Sequence, residues 1–163
     1  MTHGASCCFT GHRNVSNIEA GNIDQLLHET IDLLIRQNVV RFYCGGALGF
    51  DTLAAKAVLD FKRTNPQIQL ILAVPFRDQD RLWQQDDKRI YRKIYEQADE
   101  IHILSEQYYS GCFHKRNRYI VDHSDVCVCY LAKNRGGTFY TVNYAQKHNK
   151  RIINLAFPSV SAV

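Results

Sequence analysis

The sequence predicts an α/β protein with a Rossmann-like, doubly wound, mostly parallel sheet of about six strands and helices on both faces. Three observations predict it. Strand-like and helix-like periodicities alternate from one end of the chain to the other. The connections between them are short, as crossovers in a parallel sheet allow. Two glycine-bearing turns also sit between an apolar strand and a helix, a placement that offers a helix N-terminus to an anion.

Each element has its own justification. Residues 6–10 are a short apolar strand that runs into Gly11-His12-Arg13. Residues 18–37 carry Ile23, Leu26, Leu27, Thr30, Ile31 and Leu34 at helical spacing. Residues 41–44 are a second strand, and 50–63 a helix with Leu53, Ala54, Ala57, Val58 and Phe61 on one side. Residues 68–74 are nearly all apolar, as a strand covered on both faces requires, and they end at Pro75-Phe76-Arg77. The charged stretch 79–98 carries Trp83, Ile90, Tyr91, Ile94 and Tyr95 as an apolar stripe. A strand at 100–104, a basic helix at 113–123, a strand at 126–131, a helix at 138–148 and a strand at 151–155 complete the alternation. The reading is one domain over residues 1–163, with a tail frayed from Ala156 onward.

Composition narrows the class. Hydrophobic residues make up 45% of the 163 residues and charged residues 22%, the balance of a globular protein with one full core. No run approaches the ~18 apolar residues of a membrane helix, and the first residues lack the basic and apolar regions of a secretory signal. Five of the 6 cysteines (Cys7, Cys8, Cys44, Cys127, Cys129) fall in or beside apolar strands, and none makes a Cys-x-x-Cys pair. Buried, reduced thiols and a cytoplasmic location follow as expectations. A net charge of +4 suits a small anionic ligand and argues only weakly for nucleic acid.

In open α/β sheets, ligands bind beyond the carboxyl ends of the strands, where strand order reverses. The loops at those ends are 10–13, 45–51, 75–80, 105–114 and 133–138. They hold most of the glycines. Cys44-Gly45-Gly46-Ala47-Leu48-Gly49-Phe50-Asp51 is the first glycine turn and Arg135-Gly136-Gly137-Thr138 the second. Three glycines within five residues exceed what a plain turn needs and favour a phosphate cradle. Asp51 either caps the following helix or contacts a ligand hydroxyl. Gly136, Gly137 and Thr138 either form a capped turn or hold a second anionic group. His12 and Arg13 face the expected crevice. Within His114-Lys115-Arg116-Asn117-Arg118, Arg116 is the candidate for bidentate phosphate contact, against plain surface solvation. Trp83 either stacks on a base or packs half-buried. Asp122 and His123 diverge and Asp125 turns the chain, so no metal site is expected. No nucleophile with a base partner is evident, Cys112 included.

Thr10-Gly11-His12-Arg13, the segment from Gly45 to Ala55 and Val74-Pro75-Phe76 together resemble the YpsA-like branch of the SLOG superfamily. These are Rossmann-like nucleotide-binding domains that include the DNA-processing protein DprA and the cytokinin-activating phosphoribohydrolases, often mislabelled lysine decarboxylases. The first glycine turn is similar to the Gly-x-Ala-x-Gly-Ile-Asp segment of DprA. His114-Lys115-Arg116-Asn117, Ser124-Asp125 and Gly136-Gly137-Thr138 are similar, in order, to the phosphoribohydrolase series. By this resemblance Arg116 matches the active-site arginine, while the catalytic glutamate position falls on Thr141, which cannot act as a carboxylate. The resemblance thus implies phosphate binding without carrying over the hydrolytic mechanism.

The resulting expectation is a nucleotide or ADP-ribose-like binding protein with a sensing or regulatory role, using Gly11, His12, Arg13, Gly45, Gly46, Ala47, Gly49, Asp51, Pro75, Arg116, Gly136, Gly137 and Thr138. It requires no cofactor beyond the ligand. The alternatives are a nucleoside-monophosphate N-glycosidase, with Arg116 and Asp51 as weak catalytic candidates, and DprA-like single-stranded DNA binding, held the least favoured. Family resemblance further implies bacterial origin, roles in stress or cell division, and pairing into a homodimer.

Overall fold

The computed structural model describes residues 4–157. The elements in chain order are β1 (Ala5–Gly11), α1 (Asn17–Arg36), β2 (Val39–Cys44), α2 (Phe50–Lys62), β3 (Gln69–Val74), α3 (Gln85–Gln97), β4 (Glu100–Ile103), α4 (Cys112–Asp122), β5 (Val126–Tyr130), α5 (Gly137–Lys147) and β6 (Arg151–Asn154). The six strands form one sheet in the order β4-β3-β2-β1-β5-β6, and every pairing is parallel. The expected mixture of a mostly parallel sheet is therefore wholly parallel. The one departure among the helices is α3: residues 79–84, which precede it, run as tight turns, with the Arg81 and Trp83 amides donating to the Asp78 and Asp80 carbonyls.

Alternation along β1 separates two cores. Cys7 and Phe9 pack with Ile23, Leu27, Ile31 and Leu34 of α1, with Ala54, Ala57 and Val58 of α2, and with Ile94 of α3. Cys8 packs on the other side with Cys127, Cys129, Ile120 and Val121 of α4, and Val142 and Ala145 of α5. Burying each large aliphatic side chain contributes about 1.5–3 kcal/mol relative to exposure, so the four from α1 alone fix that helix. All six cysteines are buried free thiols. Cys127 and Cys129 share a face, as their alternation with valines requires.

Local signals set the ends. Ser16 caps α1 by accepting the Glu19 amide at 3.2 Å, and its hydroxyl donates to the Glu19 carboxylate at 3.0 Å. Asn38 and Asn149 adopt positive φ (67° and 59°) just beyond α1 and α5, where asparagine tolerates the left-handed turn best after glycine. Ala156 and Phe157 turn back on Asn154 through their amides. The rest of the expected frayed tail, 158–163, lies outside the described residues.

The strand order reverses at β1. Its neighbour on one side is β2 and on the other β5, with Phe9, Thr10 and Gly11 opposite Val128, Cys129 and Tyr130. The loops leaving β1 and β5 thus diverge around one crevice, which is where the geometry of such a sheet places a ligand. Among the described residues no helix is long and apolar enough to cross a membrane.

Candidate functional site

A cavity of about 410 Å³ opens at that switch point. It lies within the usual size range of small-molecule sites. Its wall comes from three stretches of chain: Thr10, Gly11, His12 and Arg13 after β1; Ala47 and Asp51 at the start of α2; and Lys133, Arg135, Gly136, Gly137 and Thr138 at the start of α5. Arg116 and Asn117 of α4 reach it, as do Phe113 and Tyr130. The two glycine turns therefore meet one space, although they contribute to it differently.

The second turn faces the cavity with its backbone. Gly136 has φ 94° and ψ −175° and caps α5 without a side-chain hydrogen bond. The Tyr140 amide closes the first helical turn on the Gly136 carbonyl, so the Gly137, Thr138 and Phe139 amides stand ahead of the ladder. Thr138 lies inside the helix rather than at its cap. A Cβ added at Gly136 or Gly137 would meet nothing within 4 Å.

The first turn is packed from within. A Cβ at Gly45 would lie 2.4 Å from Nη1 of Arg116 and 2.9 Å from Oδ2 of Asp51. At Gly49 (φ 75°) it would lie 2.2 Å from the Arg13 carbonyl oxygen. Gly46 (φ 70°) backs onto Tyr91 and Gln79. Neither these three glycines nor Pro75, which is buried, is among the residues lining the cavity. Their place is structural: Gly49 lets β1 and α2 touch, and the Phe50 amide donates to the His12 carbonyl at 3.1 Å beside it. Only Ala47 and Asp51 of this turn face the ligand space.

Arg116 is 4% exposed and Asp51 7%. Nη1 of Arg116 donates to the Gly45 carbonyl at 2.8 Å, and Nε donates to Oδ1 of Asn117 at 2.9 Å. Oδ2 of Asp51 accepts the Ala47 amide at 3.2 Å. Burial pushes the Asp51 carboxyl up from the usual carboxylate range; the Arg116 charge and the Ala47 amide offset part of that. Burial likewise lowers the Arg116 guanidinium, with Asp51 acting against it. Of the basic run on α4, His114 and Lys115 are exposed and turned away, and Arg118 donates to the Tyr140 hydroxyl.

At the rim, Nε2 of His12 accepts the Ala132 amide at 3.2 Å, which leaves the ring proton on Nδ1. Burial and the nearby Lys133 charge lower its pKa from 6.5, so the ring stays neutral at pH 7. The Arg13 guanidinium stacks over Phe113 at 4.7 Å. With His12 neutral, the lining charges are Arg13, Arg116, Lys133 and Arg135 against Asp51 and Glu19. The balance is cationic.

Sequence reasoning missed Glu19, Lys133, Tyr130 and Phe113. A Ser-x-x-Glu spacing marked Glu19, and its place in a loop at a strand's carboxyl end marked Lys133. Nothing local distinguishes Tyr130 or Phe113 from core aromatics. Residues of the loops 75–80 and 105–114, expected at the crevice, line a separate groove with Trp83 and Leu82, and of these two stretches only Phe113 also reaches the cavity. Trp83 packs edge-on against Tyr91 at 5.2 Å. Thr141 is 1% exposed, its hydroxyl donates to the Gly137 carbonyl at 2.8 Å, and it does not line the cavity. Among the described residues, no cluster of histidine, cysteine or carboxylate side chains has the makings of a metal site.

Comparison with known proteins follows this geometry. The model of the YspA SLOG family matches residues 7–158. The SPbeta prophage-derived protein YoqJ of Bacillus subtilis is 35% identical over 136 residues, covering 76% of this chain and 80% of YoqJ. A UPF0398 protein of Halalkalibacterium halodurans is 32% identical over 143 residues, covering 86% and 73% respectively. Among solved structures, DNA processing protein A of Helicobacter pylori, described for its single-stranded DNA binding mode, superposes with a TM-score of 0.64 at 24% identity. That match covers 91% of this chain but only 64% of the other, and it shows a shared fold.

Proposed function

Because this chain belongs to the YspA SLOG family, we propose that its switch-point cavity binds a nucleotide or an ADP-ribose-like nucleotide derivative, in a sensing or regulatory role. One observation supports this most. The uncapped start of α5 opens on a cavity that Arg13, Lys133 and Arg135 also line. Free amides at a helix start, the dipole behind them and flexible cations suit a phosphate. Glycines with open space in front allow the phosphate to approach the backbone. Phe113 and Tyr130 give an apolar wall for the rest of the ligand.

Binding without turnover fits the side chains better than hydrolysis. The position matching the family's glutamate carries Thr141, whose hydroxyl is engaged with its own helix. An N-glycosidase would have to use Asp51, and chromatographic release of free base from nucleoside monophosphates is the direct test of it. DNA binding, suggested by the fold neighbour, is tested by a gel shift with a single-stranded oligonucleotide across a salt series.

Calorimetric titration with AMP, ADP and ADP-ribose tests the main reading. We expect saturable binding to the natural chain and at least tenfold weaker binding after Lys133→Ala with Arg135→Ala, since charge-assisted contacts to phosphate are each worth about 1.5–3 kcal/mol. No binding to the natural chain, or equal binding to the double variant, would defeat it.

A further inference from the structure

The floor of the cavity differs in chemistry from its rim. Asp51 and Arg116 are both more than nine-tenths buried, and both line the space. Oδ2 of Asp51 takes the Ala47 amide and the Gly45 amide also lies against the carboxylate, while no side chain among the described residues donates to Oδ1. Arg116 uses Nη1 on the Gly45 and Ala73 carbonyls and Nε on Asn117, and Nη2 donates to nothing in the described chain. Every sealed side-chain nitrogen and oxygen among the described residues has a partner. Oδ1 and Nη2 therefore reach solvent-accessible space, and the space the two residues share is this cavity.

That pair of atoms sets a chemical requirement. A carboxylate oxygen only accepts and a guanidinium only donates. A phosphate on the floor would gain Arg116 but face the Asp51 carboxylate at close range. A pair of neighbouring hydroxyls meets both demands, one O–H donating to Asp51 and one oxygen accepting from Arg116. In dinucleotide-binding sheets, too, an acidic residue takes the ribose hydroxyl while amides at a helix start take the phosphate. Here the amides are those of α5 and the acid is on α2.

We infer that Asp51 and Arg116 read the 2′,3′-diol of a ribose whose 5′-phosphate lies at the start of α5, so the cavity selects ribonucleotides over deoxyribonucleotides. The inference rests on the nucleotide reading above and refines it. It assigns Arg116 to the sugar instead of the phosphate. It also separates this cavity from a single-stranded DNA site, where the 2′-hydroxyl is missing and the 3′-oxygen is esterified.

Calorimetry on the full chain decides it, using ribose 5-phosphate, 2-deoxyribose 5-phosphate, AMP, 2′-deoxy-AMP and inorganic phosphate. The expected result is a preference of tenfold or more for each ribo ligand over its deoxy counterpart. In Asp51→Asn that preference falls below about threefold while inorganic phosphate binds as before, which also reports an intact fold. Arg116→Lys, which keeps the charge but not the fork, gives the same loss of preference. Equal ribo and deoxy affinities in the natural chain overturn the diol assignment and leave the nucleotide reading standing. A preference that survives in Asp51→Asn overturns it as well. Absence of binding by all five ligands removes both readings.

Discussion

The two glycine turns look alike in sequence and are opposites in structure. Around Gly45 and Gly49 the space in front of each Cα is filled, by the Arg116 guanidinium in one case and the Arg13 carbonyl in the other. In front of Gly136 and Gly137 it is empty. Glycine in the first turn serves contacts within the protein; in the second it leaves backbone accessible at a helix start. A run of glycines after a strand therefore does not by itself identify a phosphate cradle. The test is what a Cβ would meet.

Substitutions that add that Cβ sharpen the contrast, and Gly49→Ala should do the most damage. Positive φ and a 2.2 Å approach to a backbone oxygen leave nothing flexible to yield. We expect a loss of about 3–5 kcal/mol in denaturant unfolding. Gly45→Ala should follow at about 2–3 kcal/mol, because the clash falls on an arginine that is itself buried and hydrogen-bonded. The same variant should weaken nucleotide binding by displacing Arg116. Gly136→Ala meets no neighbour, so its cost is only that of its backbone conformation, about 1–2 kcal/mol.

A pH series addresses the floor between the turns. The folded-state pKa of Asp51 is raised above 3.8, mainly by burial, so its ionised form costs stability. That cost is absent below the unfolded value, builds up between the unfolded and folded values and is complete above the folded one. The stability of Asp51→Asn relative to the natural chain should therefore be greater at pH 7 than at pH 4. A difference independent of pH would mean that burial does not penalise this carboxylate. Gly137→Ala should have the smallest effect: stability within about 0.5 kcal/mol of the natural chain, with any change confined to ligand affinity. A large stability loss there would erase the contrast between the turns.

Much of this was legible because it is local. Alternating apolar and polar residues in strands and the spacing of Ile23, Leu27, Ile31 and Leu34 along α1 act within a few residues. The crevice was legible too, since parallel crossovers leave the loops after β1 and β5 beside a strand-order reversal. Less legible was which side chain of each loop faces inward. Pro75 and Trp83 stand at carboxyl ends of the sheet yet belong to other packing, and Glu19, from the first turn of α1, enters the cavity.

From composition and periodicity alone came the α/β alternation, the thiols kept in the core and the five loops from which a site had to be drawn. Tertiary structure decided the site's chemistry: it set Arg116 against the carbonyl of Gly45, 71 residues away, and left Asp51 buried beside it. The physical reason is range. Backbone preference and hydrophobic pattern operate over one or two turns of chain, whereas the occupancy of space in front of a glycine depends on side chains brought there by the folded sheet.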